Sequence, residues 1–179
     1  MEVRLYDPEM QEAWNALNAR ARNGHFMFDR RYMEYHSDRF QDASLVVIHR
    51  DRIVALLPAN IDGDVVYSHQ GLTFGGLLTA ELRTTEILAS LDACAEYWRA
   101  VGASRLVYKP IPWIYHRRPT QEDLYWVFGR DAILTGRQVS TSVLLDAPGD
   151  LSQRRRRGAR KATAASLEYC RSRRVEAYR

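Results

Sequence analysis

The chain has 179 residues, of which 46% are apolar and 27% charged, and its net charge is +4. This balance is typical of a globular domain that buries a core, and it excludes intrinsic disorder, a collagen-like repeat and a disulfide scaffold. No apolar stretch approaches the roughly 20 residues of a membrane span, and the first ten residues lack the apolar segment of a secretory signal.

The positive charge is concentrated in the last part of the chain. Residues 151–179 contain ten basic and two acidic side chains, a net charge of +8, whereas the first 150 residues have a net charge of −4. The main body is therefore mildly acidic. The two cysteines, Cys94 and Cys170, lie far apart, which excludes a cysteine-based zinc or redox motif and favours a reducing cytoplasmic compartment.

The first predicted elements are a short strand and two helices. Met1–Tyr6 is predicted as the strand, and Asp7 with Pro8 begins the first helix. Gly24 is its predicted stop, and Asp29 begins the second, short helix. The apolar stripe of the first helix comprises Met10, Ala13, Trp14, Leu17 and Ala21, and that of the second Tyr32, Met33, His36 and Phe40.

The strongest strand signal follows. Ser44–His49 and Arg52–Ala59 are rich in β-branched and apolar residues, and Arg50-Asp51 between them predicts a tight hairpin. Asp62-Gly63 marks a further turn, and Val65–Ser68 is predicted as a third antiparallel strand. Together these segments predict a three-stranded meander.

The rest of the chain alternates helices and strands. Thr84–Val101 has helical periodicity with Thr84 as its cap, and Gly102 follows its end. The later predictions are a strand over Arg105–Lys109, a helix over Thr120–Phe128 with Thr120 and Asp123 as an approximate capping box, a core strand over Gln138–Asp146 and a basic helix over Asp150–Ser166.

Several motifs occur in a fixed order along these elements. They are Phe28–Phe40 (FDRRYMEYHSDRF), Leu56–Asp64 (LLPANIDGD), Tyr67–Gly76 (YSHQGLTFGG), Tyr108–Pro112 (YKPIP), Ile114–His116, Glu122–Tyr125 and Arg157–Ala162 (RGARKA). In this order they resemble FemAB-like members of the GNAT acyltransferase superfamily. The element order is also that of the GNAT fold. The resemblance implies an α/β (α+β) fold, a mixed, mostly antiparallel sheet flanked by helices, here followed by a basic C-terminal helix.

The resemblance also implies a function and a domain organisation. FemAB-like proteins have two lobes, and RGARKA is similar to the segment that joins them. We therefore expect a lobe over residues 1–149 and an inter-lobe connector or docking element over residues 150–179. The implied activity is transfer of an acyl or aminoacyl group to an amine, with acyl-CoA as co-substrate. The alternative is a non-catalytic lobe that recognises substrate or docks a second lobe or a second copy of the chain.

Acyl transfer to an amine needs a base, donors for the oxyanion and an acid for the leaving thiolate. His69, at the end of the third meander strand, is the candidate base, and a structural histidine is the alternative. Tyr125 lies on the helix that carries the thiolate-protonating tyrosine in many GNAT enzymes. Its large apolar neighbours favour core packing as the alternative.

GNAT enzymes bind the CoA pyrophosphate on backbone N–H groups of a turn that opens a helix. Gln70, Gly75 and Gly76 follow the corresponding strand here and are candidate binding residues, although their spacing departs from the family pattern. A bulge or a wide loop is the preferred alternative. After the next strand, Lys109, Tyr115 and His116 are candidate substrate contacts in an aromatic and basic loop.

The Arg-rich segment contributes the last candidates, Arg157, Arg160 and Lys161, which can bind an anionic, amine-bearing substrate or a second lobe. The alternative is a solvated charged face without a binding role. Nucleic-acid binding is a second alternative function, disfavoured by the acidic main body and by the lack of a known binding motif. No His, Cys, Asp or Glu cluster has metal-ligand spacing, so no metal is expected.

Overall fold

The structure is a computed structural model that describes residues 1–139 and 151–167. The chain divides into two compact units, residues 1–134 and residues 135–179. The first unit contains two four-stranded sheets and four α-helices. Among the described residues, no helix combines the length and the apolar character that crossing a bilayer requires.

The first sheet contains the predicted hairpin. Its strands are β1 (Glu2–Leu5), β3 (Leu45–His49), β4 (Arg52–Leu57) and β7 (Leu78–Thr79), in the order β1-β3-β4-β7, and all its pairs are antiparallel. Arg50 and Asp51 connect β3 to β4 with φ of 50° and 58°, the left-handed conformation that a two-residue hairpin turn demands. The predicted strand and hairpin are confirmed.

The strands of the second sheet show that the predicted three-stranded meander is wrong. This sheet consists of β2 (Gln41–Asp42), β5 (Asn60–Asp62), β6 (Val65–Tyr67) and β8 (Arg105–Val107), in the order β2-β5-β6-β8. The predicted single strand Arg52–Ala59 ends at Leu57, because Pro58 has no N–H for a ladder. The chain resumes as β5 in the other sheet, so the third strand β6 does not extend a meander. β6 pairs antiparallel with β5 and parallel with β8.

The side chain of Ser44 holds the hairpin together where it passes between the sheets. The Ser44 hydroxyl donates to the Ala59 carbonyl at 3.2 Å and accepts the Ala59 N–H at 3.1 Å. The hydroxyl thus gives the Ala59 N–H a side-chain acceptor at the bend. The Ala43 N–H also donates to the Ala59 carbonyl at 3.0 Å, which connects the β2–β5 pair to the β3–β4 pair.

The first sheet is buried on both faces. Alternate residues of β3 and β4 (Leu45, Val47, Ala55 and Leu57) contribute to one core, which also contains Ile87, Leu91, Cys94 and Trp98 of α3 (Thr84–Ala100). Val46 and Leu56 point the other way, into a second core with Trp14 and Leu17 of α1 (Gln11–Arg20). This two-sided burial follows from the period of two along a strand.

The helix ends match the predictions in part. Asp7 accepts the Glu9 N–H at 2.9 Å and begins a 3-10 turn that leads into α1, and Asp29 begins α2 (Arg30–Met33). The predicted cap of α3 is wrong: Arg83 is the N-cap, and the Glu86 carboxylate accepts its N–H at 2.8 Å. Ala13 of the predicted apolar stripe is exposed.

The later helices are close to the predicted ranges. Helix α4 (Glu122–Phe128) begins after Gln121, because the Thr120 hydroxyl bonds the Glu122 carboxylate at 2.7 Å instead of a backbone N–H. In the second unit, α5 (Gln153–Ala164) confirms the predicted basic helix and is capped by Ser152. Residues 140–146 of the predicted strand Gln138–Asp146 and the predicted domain boundary after residue 149 lie outside the described residues.

Candidate functional site

The parallel strands β6 and β8 separate at their C-terminal ends, and a loop lies between them. The Ser68 N–H donates to the Val107 carbonyl at 2.9 Å, after which the chain leaves the sheet. It returns at Gly75, whose N–H donates to the Lys109 carbonyl at 2.8 Å and which forms an isolated parallel bridge with Pro110. We call residues 68–77 the strand-parting loop. At this loop the C-terminal ends of β6 and β8 separate.

Close backbone packing requires the glycines of the strand-parting loop. A Cβ at Gly75 would lie 2.0 Å from the carbonyl oxygen of Ser68, so no side chain fits there. Gly76 has a φ of +117°, which other residues rarely adopt. Both glycines precede β7, so the stretch directly before α3 is the glycine-free segment 80–83. The glycines therefore shape a wide loop.

Lys109 fastens the strand-parting loop to β8. Its ammonium donates to the Leu72 carbonyl at 2.6 Å, and its backbone N–H donates to the Ser68 hydroxyl at 2.7 Å. Burial lowers the pKa of the Lys109 ammonium. The Lys109 side chain, a predicted substrate contact, thus already has an internal acceptor.

His69 and Gln70 occupy the start of this loop. His69 has a φ of +71°, is only 4% exposed and packs edge-on against Phe40, with ring centroids 5.6 Å apart. Gln70 is held by Asn60: its N–H donates to Asn60 Oδ1, and its Oε1 accepts from Asn60 Nδ2, both at 2.7 Å. These contacts attach the loop to β5.

The other end of the loop meets a pair of titratable side chains, neither of which was predicted as a site residue. Tyr108, which follows β8, accepts the Leu77 N–H at 3.0 Å and donates its hydroxyl proton to Asp123 Oδ2 at 2.9 Å. Asp123, in the first turn of α4, also accepts the Leu124 N–H at 2.9 Å. The pair therefore joins the strand-parting loop, β8 and α4.

Burial dominates the electrostatics of this pair. It raises the pKa of the Asp123 carboxyl, although the hydrogen bond from Tyr108 and the charge of His116 act in the opposite direction. Burial also raises the pKa of the Tyr108 phenol well above its ordinary value, and the neighbouring Asp123 adds to the rise. A carboxyl with a raised pKa beside an opening between strands is the kind of group that can accept a proton from a substrate.

The predicted aromatic and basic loop lies next to this pair. The Tyr115 ring stacks on Phe74 of the strand-parting loop, with centroids 5.2 Å apart, and His116 Nε2 lies 3.2 Å from the Ile111 carbonyl. The N–H groups of Arg117 and Arg118 both donate to the Arg22 carbonyl, at 2.7 and 3.2 Å. The structure therefore places Tyr115 against the strand-parting loop and His116 one residue further along the same segment, and their role as substrate contacts stays a prediction.

Two arginine side chains from elsewhere in the chain donate to backbone carbonyls of the segment before α3. Arg22 donates to the Leu82 carbonyl at 3.3 Å, and Arg118 donates to the Ala80 carbonyl at 3.4 Å. Arg22 also pairs with Glu122 at 3.5 Å, both side chains being mostly buried. The desolvated pair fixes α4 to the loop after α1, and so positions Asp123 one residue further along.

Tyr125 and the basic residues of α5 are both exposed. Of the apolar run Leu124–Phe128, only Trp126 is buried. Tyr125 is 66% exposed, so the alternative interpretation of Tyr125 as a core residue is wrong. Arg157, Arg160 and Lys161 lie on α5, which has no buried residue. In residues 1–139 and 151–167, no group of three or more His, Cys, Asp and Glu side chains is placed to hold a metal ion.

Comparison with known proteins identifies the architecture. No family model matches the sequence, and neither does any curated protein. Aminoglycoside N-acetyltransferase AAC(6')-Iy, in complex with the bisubstrate analogue CoA-S-monomethyl-acetylneamine, is similar in structure, with a TM-score of 0.52 and 15% identity over 80% of this chain and 97% of that one.

Two weaker structural matches cover similar shares. AAC(6')-IG from Acinetobacter haemolyticus has a TM-score of 0.43 and 10% identity, over 84% of this chain and 100% of its own. A transcriptional regulator from Bacillus halodurans C-125 has a TM-score of 0.47 and 12% identity, over 79% and 99%. On the AAC(6')-Iy match, the chain has the fold of the GNAT N-acetyltransferases, an α/β architecture of mostly antiparallel strands flanked by helices.

Proposed function

We propose that this chain transfers an acyl group from acyl-CoA to an amine, as a FemAB-like member of the GNAT superfamily. The observation that carries the proposal is the Tyr108–Asp123 pair at the strand-parting loop. A partly buried carboxyl with a raised pKa there suits general-base catalysis. The shared fold with an acetyltransferase that binds a CoA bisubstrate analogue supports the same reaction class.

The reaction consists of one bond formed and one broken. The lone pair of the acceptor amine attacks the thioester carbonyl carbon, a C–N bond forms, and the carbonyl oxygen becomes an oxyanion. Collapse of this intermediate breaks the C–S bond and releases the CoA thiolate. One proton leaves the amine, and one proton reaches the thiolate, so the products are an amide and free CoA.

Asp123 is the proposed base. Each carboxylate oxygen accepts one hydrogen bond from the protein, from Tyr108 or from Leu124, which leaves a lone pair on each for an amine proton. Tyr108 is a positioning residue, because it holds Asp123 while it accepts the Leu77 N–H. His69 remains a second candidate base, and its burial behind Phe40 is the reason for ranking it below Asp123.

The remaining roles follow from position or from the resemblance. Tyr125 is proposed as the acid for the thiolate on the sequence resemblance alone; it is exposed on α4, and residues two apart on a helix face different sides. Gln70, Gly75, Gly76 and Lys109 are proposed as substrate-binding residues of the strand-parting loop and its anchor. Tyr115 and His116 are proposed to contact the acceptor, since Tyr115 stacks on this loop.

A docking role for α5 is the second candidate function. Residues 151–167 contain six basic and no acidic side chains, and α5 buries none of its residues. Arg157, Arg160 and Lys161 lie at helical spacings that place them along one side. We propose that residues 1–149 form the lobe and that residues 150–179 connect or dock a second lobe or a second copy of the chain.

Acyl-CoA binding and transfer can be tested in one series. Calorimetry with acetyl-CoA and longer acyl-CoAs measures binding, and release of free CoA thiol with a panel of amines measures transfer. Asp123→Asn is expected to lower kcat by about 100-fold or more, the usual contribution of a general base. The exposed Asp131, changed to Asn in the same way, serves as the matched control and stays within about twofold. Absence of both binding and transfer would refute the proposal.

A further inference from the structure

An aromatic surface adjoins the strand-parting loop. It consists of His25 and Phe26 from the stretch between α1 and α2, Tyr32 from α2, Phe74 from the loop and Tyr115. We call these five residues the aromatic shelf. Phe26 is 63% exposed, and Tyr32 and Tyr115 are each 42% exposed. Contiguous exposed aromatic side chains of this kind mark a binding surface.

The rings of the shelf hold one another in place. The centroid separations are 4.5 Å for His25–Phe26, 5.3 Å for His25–Phe74, 5.7 Å for His25–Tyr115, 5.2 Å for Phe74–Tyr115 and 5.3 Å for Phe26–Tyr32. Their mutual contacts and the buried Phe74 beneath them restrict their rotamers before any ligand arrives. A shelf that is already ordered loses little conformational entropy on binding.

His25 gives the shelf a polar centre. The Asn18 side chain fixes its backbone by accepting the His25 N–H at 3.1 Å and donating to the His25 carbonyl at 3.0 Å. Nδ1 of the ring accepts the Met27 N–H at 3.4 Å, so the neutral ring carries its proton on Nε2. Burial, with the charge of Arg117, lowers the pKa of His25 and favours this neutral donor form.

We propose that the aromatic shelf binds a saccharide, and that the acceptor of the proposed reaction is an amine carried on a sugar ring. The C–H face of a pyranose fits the electron-rich face of an aromatic ring, and its hydroxyl rim needs donors and acceptors such as tyrosine hydroxyls and a neutral imidazole. Arginines close to the shelf are already engaged: Arg117 with the Ala19 carbonyl and Arg31 with Asp29. An uncharged, ring-shaped ligand therefore fits the shelf better than a polyanion.

The shelf and the proposed catalytic pair are connected through one short segment. Phe74 belongs to the shelf, and Leu77, three residues later, donates its N–H to Tyr108. A ring seated on the shelf is therefore next to the loop that ends at the Tyr108–Asp123 pair. The saccharide assignment rests on the proposed function only for the amine, because binding of the sugar itself requires no acyl-CoA.

The fluorescence of Trp113 can report sugar binding directly. Trp113 precedes Tyr115 in the same 3-10 turn and is 69% exposed, whereas Trp14, Trp98 and Trp126, the other tryptophans of the chain, are buried. Acrylamide quenching of tryptophan fluorescence, titrated with glucosamine and its short oligomers without acyl-CoA, reports whether a sugar protects this turn. We expect protection by the sugars and much weaker protection by cyclohexylamine, which has a ring and an amine but no hydroxyl rim.

Substitutions then locate the site. Phe26→Ala and Tyr115→Ala are expected to weaken sugar binding by about fivefold or more, while Phe128→Ala, an 80% exposed aromatic on α4, leaves it within twofold. No protection by any sugar, equal protection by cyclohexylamine, or an equal effect of Phe128→Ala would overturn the inference. Dimers that form without sugar and that Phe26→Ala converts to monomers would also overturn the inference. Loss of acyl-CoA binding with sugar binding intact would refute the proposed function alone.

Discussion

Tyr108 and Asp123 form a hydrogen bond of 2.9 Å that connects a strand end to the first turn of a helix. The same phenol oxygen accepts the Leu77 N–H, so one side chain joins three segments of the fold. Because the hydroxyl donates its proton to Asp123, it stabilises the ionised carboxylate against the effect of burial. The geometry of the proposed site therefore depends on a residue that does not itself react.

Asp123 gives the stability of the protein a distinctive pH dependence. Burial raises its pKa, so the folded state holds this proton more tightly than the unfolded state. The contribution of Asp123 to the free energy of unfolding therefore falls as the pH rises from about 4, the unfolded value, through the folded value. We expect the melting temperature of Asp123→Asn, relative to the unaltered protein, to rise between pH 4 and pH 7. A difference independent of pH would contradict this assignment.

Tyr108→Phe is expected to shift the pH dependence of acyl transfer. Removing the phenol takes away a hydrogen bond that lowers the pKa of Asp123, so that pKa rises further. Because the base must be ionised, the rise in rate with pH moves to higher pH. Profiles of kcat/KM against pH for both proteins measure the shift. Tyr97→Phe, on α3, is the control, and an unshifted profile in Tyr108→Phe would separate the phenol from the base.

Gly75→Ala is expected to destabilise the protein by about 2–3 kcal/mol, because a Cβ there would overlap the Ser68 carbonyl oxygen. Gly63→Ala is the matched control. Its φ of +59° is strained for alanine, but nothing lies within 4 Å of the new Cβ, so a cost of about 1 kcal/mol is expected. Urea unfolding of both variants measures the difference. Equal costs would show that the strand-parting loop can relax.

The turn Arg50-Asp51 is a place where the protein can be stabilised. Both residues have positive φ, and replacing them with Asn-Gly should raise the free energy of unfolding by about 1 kcal/mol. The urea midpoint of the double variant tests this, with Arg50→Asn alone as an intermediate. A lower midpoint would mean that the side chains of Arg50 and Asp51 contribute more than the backbone strain costs.

Lys109→Met is expected to loosen the strand-parting loop. The substitution keeps most of the apolar stem and removes the hydrogen bond to the Leu72 carbonyl. Hydrogen exchange in residues 68–77 should rise, because local opening of the loop no longer has to break this bond. Exchange in β3 and β4 should stay unchanged. Lys161→Met on the exposed α5 provides the control. Unchanged exchange in residues 68–77 would show that Lys109 does not fasten the loop.

The elements that the sequence predicted well are those with local signals. Arg50-Asp51 between two apolar runs predicted the hairpin, and Asp7 and Asp29 predicted helix starts, because the interactions involved span only a few residues. The bend at Pro58 had a visible signal as well, since proline interrupts a strand. The periodic apolar pattern on both sides of Pro58 concealed it.

The proposed catalytic pair could not be found in the same way. Tyr108 and Asp123 are 15 residues apart and meet only because α4 folds back beside the end of β8. In the sequence, Asp123 resembles a helix-capping residue and Tyr108 an ordinary strand residue. The prediction for the run Leu124–Phe128 was wrong for a related reason: apolar residue type predicted burial, yet four of the five side chains are not buried.

The sharing of the β3–β4 hairpin by two cores has a consequence for how the chain folds. A slip of one residue in its register would turn Val46 and Leu56 toward the core of α3, and Val47 and Leu57 toward the core of α1. Neither core can close correctly until the hairpin is in register, so both should assemble in one concerted step after it forms. The Arg50-Asp51 turn and the register shift between Val47 and Ile48 together set that register, so we expect the hairpin to be part of the folding nucleus.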